Sequence, residues 1–335
     1  MKALAMTGPG NVDLVDMDEP VVEAGKIKIK TIYSAVSAGT ELHSLARTKE
    51  GSRQRFGYML GGKVIEVGEG VTLFEPGDRV TGFIYPSHCE YTLGTEIQTV
   101  KVPDGVSLLE AACSYWIVPS FRGLHRTNLK FYEDAAVVGQ GPIGLMATQM
   151  LRGMARDVIA VDPIESRLEI ARELGATYAW NPNADRPEGL PQPQAVVVAS
   201  GSESAFKTAA DLVRPRGRVV FLRIPEHVQS FDLHDYGYTK DLEFVNAGQT
   251  GLQPDVNYIA EEAKAEFKTA AEIYPEPWYF RRYIEQAVDM VSQKRIDVKS
   301  IVSTTESFTE APGIFGQLYS DPSSFLGVVF QWSEE

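Results

Sequence analysis

The rhythm of hydrophobic and polar positions changes near residue 118. Before it, short alternating stretches are separated by glycine turns. In Lys26–Tyr33, Ile27, Ile29 and Ile32 stand against Lys26, Lys28 and Lys30, the period-two pattern of a half-buried strand. Lys63–Val67 and Arg79–Phe83 are further strands, with Gly68-Glu69-Gly70 and Glu75-Pro76-Gly77-Asp78 as turns between them. Short strands with such turns predict a small β barrel or sandwich. After residue 118, buried apolar runs alternate with helical periods. Ala135–Val138, Val158–Val161, Tyr178–Trp180, Ala195–Ala199, Gly217–Leu222 and Leu242–Ala247 read as strands. Leu145–Gly153, Ile164–Leu174 and Ser202–Val213 read as helices between them. This order predicts an α/β fold with a doubly wound parallel sheet.

Pro254–Ile273 reads as a surface helix ended by Pro275 and Pro277, and Trp278–Gln293 as a second helix. Ile301–Ser307 and Phe325–Gln331 return to strand character. The expected division is therefore a β-rich domain over 1–117, a dinucleotide-type domain over 118–273, and a segment over 274–335 that completes the first domain.

At 335 residues the chain is long enough for two cores. Its net charge of −13 argues against nucleic acid and anionic membranes as partners. The two cysteines, Cys89 and Cys113, form no disulfide framework or zinc cluster and suit a reducing cytoplasm. No stretch reaches the ~18–20 apolar residues of a membrane span, and Met1-Lys2-Ala3-Leu4 opens no signal-peptide core. A cytoplasmic protein acting on a small molecule is expected.

The chemistry centres on Gly139-Gln140-Gly141-Pro142-Ile143-Gly144, which matches G-x-G-x-x-G between a strand and a helix. Gly139 permits the tight turn, Gly141 lets a pyrophosphate approach the backbone, and Gly144 lets the helix pack closely. The helix N-terminus then offers N–H groups to phosphates. Asp162, about 20 residues on, is placed to accept the ribose hydroxyls and to repel a 2′-phosphate, which favours NAD(H) over NADP(H). Arg167 is the nearby side chain that would accommodate such a phosphate. Ligands of such sheets sit outside the carboxyl ends of the strands, so Ser200, Gly201, Leu222, Arg223 and Gly248 join the candidate cofactor residues.

A β domain, a dinucleotide domain and a returning tail resemble the medium-chain dehydrogenase/reductase family, with its GroES-like catalytic domain and Rossmann domain. Gly57–Gly68 is similar to the family's G-H-E-x-x-G-x-V-x-x-V-G, Gly77–Val80 to G-D-x-V, and Ala38–His43 to C-G-T-D-L-H. The resemblance implies a hydride-transferring enzyme and a homodimer formed through the last strand of the cofactor sheet. It also exposes departures. Ala38, Tyr58 and the region of Val118 stand where zinc-dependent members carry metal ligands, and none supplies a usual zinc ligand. No structural-zinc lobe lies between Gly77–Val80 and His88–Tyr91. A zinc-independent member with no metal site is expected. His43, His88 and Cys89 are the side chains left with metal-binding chemistry.

The resemblance implies a proton relay through Thr40 and His43, and Tyr58 at the substrate end reads either as a hydrogen-bond donor or acid, or as a spacer in the vacated metal position. Glu41 is expected to be structural. Arg47, Lys49, Arg53 and Arg55 form a basic run, read as an anion-recognising or simply solvated loop. The expected function is zinc-independent interconversion of a secondary alcohol and its ketone with NAD(H), on a polyol, sugar or cyclitol-type compound. The alternatives are an NADPH-dependent quinone or enone reductase and a non-catalytic dinucleotide-binding protein.

Overall fold

The computed structural model describes residues 1–223, 231–247 and 280–335. The chain divides into two compact units, one of Met1–Tyr115 with Phe280–Glu335 and one of Trp116–Tyr279. Gly248, Pro254–Ile273, Pro275, Pro277 and Trp278 lie outside the described residues.

The first unit is mostly antiparallel β. It holds β1 (Lys2–Gly8), β2 (Asn11–Asp16), β3 (Ile27–Ala35), β4 (Gln54–Arg55), β5 (Met59–Val67), β6 (Arg79–Phe83), β7 (Tyr91–Gly94) and β8 (Thr99–Lys101). Strand β3 is its hub. It pairs with β5 along its length, and with β7 over Ile27–Lys30. Ile27 and Ile29 enter a core with Leu60, Val64 and Ile84, while the Lys28 ammonium reaches Glu19 at 2.6 Å. The predicted strand at Lys63–Val67 starts earlier, at Met59. Gly61 masks that start by weakening the strand pattern, because the backbone passes so close to the Leu108 carbonyl that no Cβ fits.

Several helices were not anticipated, and two of them share one core. Helix α1 (Ala38–Arg47) stands inside the region read as strands and turns, and it carries the whole relay motif. It forms because Leu45 is fully buried and Leu42 packs against a core that includes Leu4, Met6 and Phe330. The basic run is accordingly no single loop. Arg47 ends α1, and Arg55 pairs with Ala5 of β1. In the returning tail, α7 (Phe280–Ser292) and β15 (Thr304–Ser307) precede α8 (Ala311–Ser320) and β16 (Val328–Gln331). The α8 segment, APGIFGQLYS, has glycines and a proline that conceal a helix, yet Ile314, Phe315 and Leu318 are drawn into the same core. Strand β16 pairs with β3 over Tyr33–Ala35, so the tail joins the N-terminal sheet. For numbering, α2 is Leu108–Cys113.

The second unit holds α3 (Ile117–Thr127), β9 (Ala135–Val138), α4 (Pro142–Arg152), β10 (Val158–Val161), α5 (Glu165–Glu173), β11 (Tyr178–Trp180), β12 (Ala195–Val198), α6 (Glu203–Leu212), β13 (Arg218–Phe221) and β14 (Glu243–Asn246). The six strands lie parallel in the order β11-β10-β9-β12-β13-β14, the doubly wound arrangement expected from the sequence. The Val, Ile and Ala composition of β9, β10 and β12 follows from burial on both faces, whereas β11 and β14 at the ends of the order are only partly buried. Helix α4 begins at Pro142 rather than Leu145, since a proline at the first helical position gives up an N–H that has no intrahelical partner there.

Candidate active site and dinucleotide loop

The turn after β9 is built for close approach. Gly139 has φ +94°, a conformation open to glycine and costly for other residues. A Cβ on Gly144 would run into the Gly139 carbonyl, whereas nothing lies within 4 Å of the Cβ position of Gly141. The motif thus combines two tight contacts with one open face. Pro142 and Ile143 start α4 beside that face and are half-buried. Gln140, fully buried, locks the turn from beneath. Its amide donates to the Val137 carbonyl at 2.8 Å, and its oxygen accepts from Thr148 Oγ1 at 2.9 Å.

Asp162 is buried and binds the loop as well as facing its neighbours. Its Oδ2 accepts from the Gln140 backbone N–H at 2.7 Å, and its Oδ1 from Ile164 N–H at 2.9 Å. Each carboxylate oxygen has a second lone pair, so acceptor capacity remains. Arg167 Nη1 stands 4.0 Å from Oδ2. Ser200 and Gly201 follow β12, and Leu222 and Arg223 follow β13. The Arg223 side chain crosses Gly201, its Cδ 2.8 Å from where a Cβ would stand.

In the β-rich unit, Thr40 and His43 lie three residues apart on one face of α1, Thr40 exposed and His43 half-buried. Tyr58 comes from the start of the β5 segment. Its ring packs on Phe83, with centroids 4.8 Å apart, and meets Tyr115 edge-on at 5.7 Å. Its phenol donates to Ser37 Oγ, and Thr40 also hydrogen-bonds it. Burial, and then the charge of Glu41, pushes the Tyr58 phenol up to about 12, so it remains a protonated donor through the ordinary pH range. The structure therefore brings Thr40 and Tyr58 together.

Glu41 turns away from them into the core. Its Oε2 lies 3.3 Å from His88 Nε2, and His88 Nδ1 lies 2.7 Å from Ser34 Oγ. Trp332, from the tail, donates to the same Ser34 oxygen at 2.8 Å. The indole can only donate, so the Ser34 oxygen accepts from Trp332, and its proton or its second lone pair faces His88 Nδ1. Gly57, at φ +84°, lets the Tyr58 segment pass directly over this ring, where a Cβ would meet His88 Cδ2 and Ser87 Oγ.

Comparison with known proteins fits this geometry. Residues 142–253 match the family described as zinc-binding dehydrogenase. The galactitol-1-phosphate dehydrogenase of Escherichia coli superposes with a TM-score of 0.82 at 15% identity, over 99% of this chain and 100% of that one. These likenesses agree with the resemblance to medium-chain dehydrogenases/reductases read from the sequence, and the superposition shows that the chain shares their fold. Among relatives in sequence, the L-threonine 3-dehydrogenase of Cronobacter sakazakii is 28% identical over 69% of this chain and 80% of its own. The alcohol dehydrogenase of Geobacillus stearothermophilus is 29% identical over 64% and 74%.

The positions that the sequence resemblance aligns with the metal ligands of zinc-dependent enzymes are Ala38, Tyr58 and the region of Val118. Ala38 offers a methyl group, Val118 a buried isopropyl group, and Tyr58 a protonated phenol already donating to Ser37. These side chains do not fit a zinc ion. The other metal-binding side chains are not assembled either. Both His88 nitrogens face partners, and burial holds the Cys89 thiol up at about 12, with Sγ donating to the Pro86 and Tyr91 carbonyls. Among the described residues, no three His, Cys, Asp or Glu side chains are grouped to hold a metal. Among the same residues, no helix is long and apolar enough to cross a membrane. The dinucleotide loop, in contrast, fits a pyrophosphate through its open Gly141 face and the adjoining helix N-terminus.

Sequence reasoning missed Ser37, His88, Ser34 and Trp332 as parts of this site. Ser37 immediately precedes the relay motif, but its place at a helix cap could not be read while α1 itself was hidden. The His88–Ser34–Trp332 chain joins residues up to 298 positions apart, and no local pattern announces it.

Proposed function

We propose that this protein is a zinc-independent oxidoreductase that interconverts a secondary alcohol and its ketone with NAD(H). The observation that carries the reading is the Tyr58 phenol, buried, protonated and held by hydroxyls at a position where zinc-dependent relatives place a ligand. Bound NAD(H) supplies or accepts the hydride. Tyr58 donates a hydrogen bond to the substrate oxygen and gives it a proton as the ketone becomes an alcohol. Thr40 passes a proton back to the phenolate, and His43, one turn along α1, connects Thr40 with solvent. Gly139, Gly141, Pro142, Ile143 and Gly144 hold the pyrophosphate, Asp162 the ribose, and Ser200, Gly201, Leu222 and Arg223 border the cofactor. Gly248 has the same assignment from sequence. Relatives named as threonine and alcohol dehydrogenases support oxidation of a hydroxyl group, and a polyol, sugar or cyclitol is the preferred class.

The test is turnover of secondary alcohols and ketones with NAD(H) and NADP(H), on protein analysed for zinc. Turnover with NAD(H) in zinc-free protein is expected. NADPH-dependent reduction of enones without alcohol turnover would replace this reading with a quinone or enone reductase. NADH binding with no turnover on any carbonyl would leave a non-catalytic dinucleotide-binding protein.

The assembly we propose is a homodimer. Strand β14 is an end strand of its sheet and pairs with β13 on one side. Sedimentation is expected to give twice the 36.9 kDa chain mass. A species of chain mass at micromolar concentration would remove the proposal.

A further inference from the structure

Helix α1 begins in an unusual way. Its N-cap residue is Ser37, a type whose hydroxyl ordinarily accepts a first-turn backbone N–H and stabilises the helix. Other serines in this chain do so. Ser107 accepts from Glu110 N–H, and Ser202 accepts from Ala205 N–H. Ser37 makes no such bond. The Thr40 N–H, which a capping hydroxyl would take, reaches the Ser37 backbone carbonyl at 3.0 Å, beside the ordinary first helical bond from Glu41 at 2.9 Å. The Ser37 hydroxyl is taken by the phenol of Tyr58, 21 residues away, in a buried contact.

The rest of the first turn is fastened so that this contact keeps its place. Glu41 is pinned through His88 to Ser34 on β3 and Trp332 beyond β16. Phe83 and Tyr115 close on the Tyr58 ring and limit its rotation. One hydroxyl has therefore been withdrawn from helix capping and assigned to a single phenol.

We propose that Ser37 is a positioning residue for the reaction, holding the Tyr58 phenol oxygen in the place from which its proton is delivered. The proposal rests on the reading of Tyr58 as the acid. In ketone reduction the Tyr58 O–H bond breaks, and the proton forms the new O–H bond of the alcohol. The hydride, with its electron pair, reaches the carbonyl carbon from NADH. As the ketone binds, Tyr58 turns its single proton from Ser37 to the substrate oxygen, and the Ser37 hydroxyl, keeping its own proton, turns it to donate to the phenol oxygen, a bond that strengthens as the phenolate forms. Thr40 then returns a proton to the phenolate.

Ser37→Ala is expected to lower kcat for ketone reduction by about 10- to 100-fold with KM little changed, and Ser37→Thr to recover most of it. In a Tyr58→Phe background, Ser37→Ala is expected to add no further loss, which a merely structural serine would not show. A second readout needs no substrate. With tyrosine labelled at Cζ, the carbon resonance missing from Tyr58→Phe identifies Tyr58, and it should move in Ser37→Ala and stay in Ser37→Thr. Glycine is well tolerated at an N-cap, so Ser37→Gly replaces Ser37→Ala if the alanine variant does not fold. Multiplying losses in the double variant, or an unmoved Tyr58 resonance, would overturn the proposal. Full kcat in Tyr58→Phe alone would instead overturn the acid assignment, while the resonance would still report the Ser37 contact.

Discussion

Tyr58→Phe is expected to lower kcat for ketone reduction by about 10²- to 10⁴-fold, the range for losing a positioned general acid. The substitution removes one oxygen and retains the ring that packs on Phe83 and Tyr115, so folding should survive. NADH affinity should be unchanged, because the phenol is assigned to the substrate oxygen and not to the cofactor. Burial and the Glu41 charge keep the phenol protonated up to about 12, so the wild-type rate should show no fall from Tyr58 ionisation below that pH. The measurement is steady-state kinetics with NADH titration of the same samples. A variant with wild-type kcat would make Tyr58 a spacer and return the mechanism to Thr40 and His43.

Asp162→Asn is expected to shift cofactor choice towards NADP(H) by about 100-fold in the ratio of dissociation constants. A 2′-phosphate beside a carboxylate is opposed by roughly 2–3 kcal/mol at a half-shielded site. Arg167, 4.0 Å from the carboxylate, would then be released to meet the phosphate. Part of the effect on NADH has a different origin. Asp162 accepts the Gln140 and Ile164 N–H groups, and asparagine retains only one accepting oxygen for them. Some loss of affinity for both cofactors is therefore expected, and the ratio rather than either affinity is the test. An unchanged ratio from fluorescence titration would show that Asp162 serves the loop alone.

These two residues differ in how they were legible. Asp162 and the glycines sit in one continuous strand, turn, helix and strand, where each residue type follows from backbone conformation or close contact. Such local demands are written into neighbouring positions, and the parallel sheet was readable for the same reason, since strands buried on both faces are uniformly apolar. The N-terminal strands were half readable. Alternation marked Ile27 and Ile29, but Gly61 weakened the start of β5 at a place where two backbones touch. Helices α1 and α8 were not legible, because their formation depends on a core shared by Leu4, Phe315 and Phe330 rather than on propensity.

By itself, the sequence determined the glycine turn, the alternation of parallel strands with helices and the identity of the side chains at Ala38, Tyr58 and Val118, because each is a local or positional property. Only the tertiary structure decided what those side chains do. It gave the Ser37 hydroxyl to Tyr58 instead of to the helix cap, and it gave Glu41 to His88 and, through Ser34, to Trp332. A buried polar group must find a partner wherever the fold supplies one, and that choice is made between distant segments only when they are packed together.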